Sequence, residues 1–300
     1  MWSSLWTQWM DFWQEPGSIP LQQLRERHEY PESRYVDIDG MQVHYRDVGS
    51  GPVLLCLHGI FSSCHTWEGW SDELKPDFRV ISIDCPNFGL TGPHPQGMRE
   101  HLYSDFIGQF LDALNIERCH VAGNSLGGWM AWEFAARFPQ RVDKIILLDS
   151  AGFFFVPPPI LIFMGLPLMG WVSSHLALPR MMVRAIVRST YAQPERLQHV
   201  VAERYFELLM RSGNRSAAAN VLAFVRNRGG FNHKQLQQVS APVCVMWGEQ
   251  DEWIPPSHVA KFQLALPQAE VLRYSDCGHL PMEELPQQSA KDARRFLLQQ

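Results

Sequence analysis

Short, continuous apolar runs alternate with stretches of helical period along most of this chain, and that alternation limits the folds available to it. "PVLLCLHG" has no polar side to turn to water, so it suits a strand buried on both faces. "FRVISIDCP", "RCHVAG", "DKIILLDS", "APVCVMWGEQD" and "AEVLRYSDCGH" read the same way. Between them lie "REHLYSDFIGQFLDALNI" and "SLGGWMAWEFAARFP", whose apolar residues recur at helical spacing. Strands separated by helices predict a mostly parallel sheet covered on both sides. Ahead of this series, "RYVDIDGMQVHYRDVGSG" reads as a hairpin about Asp39-Gly40, a dipeptide suited to a tight turn.

The alternation stops after Ser150. Residues 152 to 233 show no strand-like run. "FFFVPPPILIFMGLPLMGWV" is apolar enough for a membrane, yet Pro157, Pro158, Pro159 and Pro167 would break a spanning helix. "PERLQHVVAERYFELLMRS" and "SAAANVLAFVRNR" look helical, so this stretch is expected to be a helical insertion. The expected organisation is residues 1–33, a tryptophan-rich helix and linker; 34–151, the first part of the core; 152–233, a helical cap; and 234–300, the rest of the core.

The 300 residues and 46% hydrophobic content support a large buried core. A net charge of −5 with no long basic run gives no support to nucleic-acid binding. The six cysteines, Cys56, Cys64, Cys85, Cys119, Cys244 and Cys277, show no CxxC pair and no zinc spacing. Cys56, Cys119 and Cys244 fall inside apolar strand-like runs and read there as small buried hydrophobes; the setting is read as reducing and cytoplasmic, and no metal is expected. "MWSSLWTQWMDFWQEPG" lacks a basic start and a small-residue cleavage site, so it is not a secretory signal. Trp2, Leu5, Trp6, Trp9, Met10 and Trp13 form one apolar stripe. The stripe suits docking on the body or on a second subunit. A peripheral membrane contact through residues 1–15 is the alternative, weakened by the lack of Lys or Arg on the polar face. The chain is expected to be a monomer or homodimer.

"HVAGNSLGGW" carries the chemistry. Gly123-Asn124-Ser125-Leu126-Gly127 matches G-x-S-x-G between a strand and a helix, where a nucleophilic serine needs near-bare neighbours on a strained turn. A serine needs a base. Among 12 histidines, His279 in "DCGHLPMEE" follows the last strand and precedes a helix. The base needs a carboxylate to orient it, and Asp251 in "WGEQDEWIP" follows the preceding strand. Asp149 and Glu249 are rivals for that place. The oxyanion hole needs two backbone N–H groups. Leu126 should give one and Ile60, ahead of Phe61, the other. His58 is read as a structural support of that loop.

"LHGIFSSCHTW", "SIDCPNFGLTG", "GNSLGG", "WGEQDEWIP" and "GHLPMEE" together resemble, in order, the signatures of the α/β-hydrolase fold superfamily, in particular its capped serine esterases and lipases. The resemblance runs from about residue 34 to the C-terminus. It implies a mostly parallel eight-stranded sheet with helices on both faces, an inserted helical cap, a Ser125-Asp251-His279 triad and no cofactor. Relatives that cleave carbon–halogen bonds or epoxides use Asp as nucleophile, so Ser125 sets those reactions aside. The crowded apolar set of the cap, with Phe61, Phe153, Phe154, Trp253 and Met282 near the cleft, points to a lipophilic acyl pocket. The expected activity is hydrolysis of small-molecule carboxylic esters. "GNS" also resembles carbon–carbon hydrolases of ring-cleavage products, which keeps that reaction as the alternative. A non-catalytic receptor or scaffold on this fold stands third.

Overall fold

The structure is a computed structural model that describes residues 15–164, 166, 169–175, 178–228 and 230–299. The tryptophan stripe of residues 1–14 lies outside the described residues.

Eight strands form one sheet: β1 Ser33–Ile38, β2 Met41–Val48, β3 Val53–Leu57, β4 Arg79–Ile83, β5 Cys119–Asn124, β6 Val142–Leu148, β7 Val243–Gly248 and β8 Glu270–Tyr274. Their order is β1-β2-β4-β3-β5-β6-β7-β8. β1 and β2 form the predicted hairpin, with Asp39 at φ 53° and Gly40 at φ 81° supplying the left-handed turn. β2 is antiparallel to β4, and the strands from β4 to β8 run parallel. The apolar runs explain themselves by period two. Leu55, Leu57, Val121, Ile145, Leu147 and Val245 pack on one side of the sheet. Leu54, Cys56, Ala122, Ile146, Cys244 and Met246 pack on the other.

Helices close both faces. α1 is Leu21–His28, α2 Glu68–Leu74, α3 Leu102–Ala113 and α4 Leu126–Arg137. The segment between β6 and β7 holds α5 Pro159–Met164, α6 Met169–His175, α7 Arg180–Arg188, α8 His199–Leu209 and α9 Asn214–Asn227. α10 His258–Ala265, α11 Pro281–Glu284 and α12 Pro286–Leu298 complete the chain. α3, α4 and α10 cover the first face through Phe106, Phe110, Trp132, Phe134 and Phe262. α2 and α12 cover the second through Trp70, Leu74, Ala293 and Phe296. All six cysteines are buried and unpaired. Among the described residues no helix is long and apolar enough to cross a membrane. The proline-rich apolar stretch instead yields the short α5 and α6.

The inserted helices leave and rejoin the core at one place, where the Phe153 and His233 rings lie 5.3 Å apart. Ion pairs cross the seam to the core: Arg204 to Glu68 at 3.1 Å, Arg228 to Glu100 at 2.7 Å, and Arg196 to Asp276. Two expectations about elements need correction. Residues 21–28, read as linker, form α1. Leu24 packs with Leu90 and Leu208, and Arg27 and His28 both reach Glu207 on α8 at 2.8 Å. The sequence from Pro194 begins as a 3₁₀ turn, and α8 starts only at His199.

Candidate active site

Ser125 sits between the end of β5 and the first turn of α4, with φ 55° and ψ −118°. A side chain in that backbone region is strained, and the surroundings hold it there. The Ser125 N–H donates to Leu148 O at 3.0 Å, and its carbonyl accepts from Ala151 N–H at 2.9 Å and Gly128 N–H at 3.0 Å. The flanking glycines are required by space. A Cβ on Gly123 would lie 2.2 Å from Gly127 O, and one on Gly127 would lie 2.2 Å from Leu57 O. Helix and strand therefore approach closely enough to push Ser125 out of the turn.

His279 lies in the loop after β8, in line with its predicted place. Its Nδ1–H donates to Asp251 Oδ2 at 2.8 Å. Asp251 Oδ1 accepts from Trp253 N–H at 2.7 Å and Ile254 N–H at 3.0 Å, which fixes the carboxylate. The Trp253 ring stacks on His279 with centroids 5.7 Å apart. Asn124 ties the two halves of the site: its amide donates to His279 O at 3.0 Å and Leu148 O at 3.2 Å. Ser125 and His279 line one small chamber, with no hydrogen bond between them among the described contacts. Such bonds commonly tighten only when substrate is bound. Of the rivals for the acid, Glu249 is exposed. Asp149 is buried behind Asp251, with Oδ1 accepting from Gly248 N–H at 3.0 Å.

The Ile60 and Leu126 N–H groups make no hydrogen bond among the described residues. Both residues line a cavity with Ser125. Phe61, at φ 60°, bends the loop there. His58 holds the same loop from behind: its Nδ1–H donates to Gly59 O at 2.7 Å and its Nε2 accepts from Cys85 N–H at 3.0 Å. Burial lowers its pKa, so the ring is neutral, as this two-way bonding requires.

Two chambers meet at Ser125. The larger, of about 270 Å³, runs under the inserted helices and includes Phe153, Phe154 and Trp253. Arg226 is the single charged side chain among its described lining residues. The smaller, of about 40 Å³, includes Phe61, Trp253 and the polar Ser62, Thr190 and Tyr205. The expectation for Met282 is corrected. It lines neither chamber and is buried in the second core cluster, because α11 turns it inward. Sequence reasoning missed Tyr205, Thr190 and the α9 residues Val221, Leu222 and Val225. No motif marks them, and only the packing of the inserted helices brings them to Ser125.

The family behind this geometry is shown by comparison. A family model described as the alpha/beta hydrolase fold matches residues 52–286, and the chain belongs to that family. Membership of that family supports a hydrolase. A 2-hydroxy-6-oxononadienedioate/2-hydroxy-6-oxononatrienedioate hydrolase of Paraburkholderia xenovorans (strain LB400) is 31% identical over 272 residues, 84% of this chain and 90% of that protein. A protein of the same name from Paraburkholderia phymatum is 29% identical, with 84% and 90% covered. A solved structure described as a membrane phospholipase A, a bacterial virulence factor, superposes with a TM-score of 0.75 at 25% identity, covering 88% of this chain and 85% of that one.

Proposed function

We propose that this chain is a serine hydrolase that cleaves a carbon–carbon bond beside a ketone carbonyl in a ring-cleavage product whose acyl side is apolar. The observation that carries the reading is the pair of unequal chambers meeting at Ser125. One holds an acyl group and the other a smaller leaving fragment. The relatives named above support the carbon–carbon reading over the ester expected from sequence.

In this scheme Ser125 Oγ attacks the ketone carbon as His279 Nε2 takes its proton. Asp251 holds the ring and stabilises the imidazolium. The Ile60 and Leu126 N–H groups receive the oxyanion. Collapse breaks the carbon–carbon bond. The electron pair leaves on a carbon conjugated to a second carbonyl, and His279 returns the proton there. Water, deprotonated by His279, then releases the acid and restores Ser125. The named substrates of the relatives are dicarboxylates. A large chamber with Arg226 as the one cation among its described lining residues suits a hydrocarbon substituent better.

Ester hydrolysis is the second reading. It is favoured by that apolar lining and by the likeness to the phospholipase. The same enzyme preparation should be given an alkyl- or aryl-substituted ring-cleavage ketone and a series of p-nitrophenyl esters from acetate to palmitate. Turnover of the ketone well above any ester, abolished in Ser125→Ala, is the expected result. Efficient Ser125-dependent turnover of medium or long esters alone replaces it with the ester reading.

A further inference from the structure

Asp149 directly follows β6, behind the Asp251–His279 pair, and has no exposed surface. Its Oδ1 takes the Gly248 N–H, while its Oδ2 has no hydrogen-bond partner among the described residues. Yet Asp149, Asp251 and His279 each place one polar atom such that all three atoms lie within 4.8 Å of one another. Asp251 has three N–H donors, from Trp253, Ile254 and His279. Asp149 has one. A third carboxyl, Glu284, stands close and is itself satisfied by the Gly278, Ala192 and Gln193 N–H groups. The neighbouring Cys277 thiol is held neutral by burial. The cation of this group, Arg196, lies 3.6 Å from Glu284 and is shared with Asp276.

Two adjoining carboxyls sealed from water cannot both ionise, because each would be desolvated and would repel the other. The charge stays where more donors point, on Asp251. Burial, then the Asp251 charge, pushes the Asp149 carboxyl well above the usual carboxylate range. We propose that Asp149 is a neutral carboxylic acid that donates a hydrogen bond to Asp251, extending Ser125–His279–Asp251 by a fourth, positioning residue. The donated bond draws negative charge away from His279. It therefore sets how readily the ring becomes imidazolium, and it keeps Asp251 ionised in a dry site. The proposal rests on the triad reading, and is indifferent to which bond is cleaved.

The test uses the full chain. A difference infrared spectrum, wild type minus Asp149→Asn at neutral pH, should contain the C=O stretch of a protonated carboxyl. This readout does not depend on turnover, so it separates failure here from failure of the triad. Asn keeps an N–H donor for Asp251, whereas Leu keeps none. Without the donor the Asp251 charge bears fully on His279 and favours the imidazolium over the free base. The acid limb of kcat/KM should thus move to higher pH by about half a unit to one unit in Asp149→Leu and stay in place in Asp149→Asn. Absence of the protonated-carboxyl band overturns the proposal. So does a Leu variant whose acid limb coincides with that of wild type. Should the Leu variant not fold, the infrared result on Asp149→Asn decides.

Discussion

Asn124 is one position beside Ser125, almost wholly buried, and its amide nitrogen ties the end of β6 to the loop after β8. Replacing it by Ala removes two donated bonds of unequal weight. Leu148 O keeps the Ser125 N–H at 3.0 Å, so it remains satisfied. His279 O has Asn124 as its one described partner and becomes an orphaned buried carbonyl. One orphaned acceptor costs about 1–3 kcal/mol. The same loss loosens the His279 loop, and in the proposed mechanism about 1 Å of misplacement costs on the order of 100-fold in rate. Asn124→Asp is worse. It turns the donor into an acceptor facing His279 O and buries a charge without a partner, at about 3–5 kcal/mol. Urea unfolding and kcat/KM on the substrate that Ser125 turns over measure both effects. An Ala variant within about 0.5 kcal/mol of wild type and with unchanged kcat/KM would refute the reasoning.

Ser125→Gly should abolish turnover and yet raise Tm, because glycine relieves a φ of 55° worth about 1 kcal/mol; a lowered Tm counts against stored strain at the elbow. Arg215→Met breaks a fully buried ion pair with Glu15 at 3.0 Å and should cost about 3 kcal/mol or more in chemical unfolding. Val225→Trp, in the wall of the larger chamber, should lower kcat/KM about tenfold or more for bulky acyl groups and leave an acetyl substrate nearly unaffected. Burial lowers the pKa of His65 from 6.5 to about 3, so protonation favours the unfolded chain. The stability His65 contributes is complete above pH 6.5 and falls away as pH drops toward 3. Tm of His65→Gln should accordingly fall less steeply than wild type between those values.

The sheet and the elbow were legible because each rests on local rules. A strand buried on both faces must be apolar throughout, as in Val53–Leu57 and Val243–Gly248. A strained serine needs bare neighbours, as Gly123 and Gly127 supply. Loop position after β7 and β8 singled out Asp251 and His279, and the structure places their side chains 2.8 Å apart. What escaped depends on which way a side chain turns or which helix comes to rest where. Met282 follows His279 closely in sequence yet points into the core. Tyr205 is far from Ser125 in sequence and reaches its chamber only through the packing of α8. α1 was invisible as an element because Leu21 and Leu24 are its only apolar residues and just one of them, Leu24, is buried. The closeness of Asp149 and Asp251 follows from the pairing of β6 with β7, a register that composition cannot reveal.

The meeting of Phe153 with His233 makes the inserted helices a cassette with a single socket. Helices from another protein could be spliced there without lengthening any strand, so the larger chamber can be exchanged while Ser125, Asp251 and His279 stay in place. Such a graft would still inherit a strap. α1 grips α8 through Glu207, and the His28 carbonyl accepts from His65 of the core at 2.7 Å. An exchange confined to the socket would strand that strap against a foreign surface, so the workable module is two pieces of chain, residues 21–28 together with the insertion.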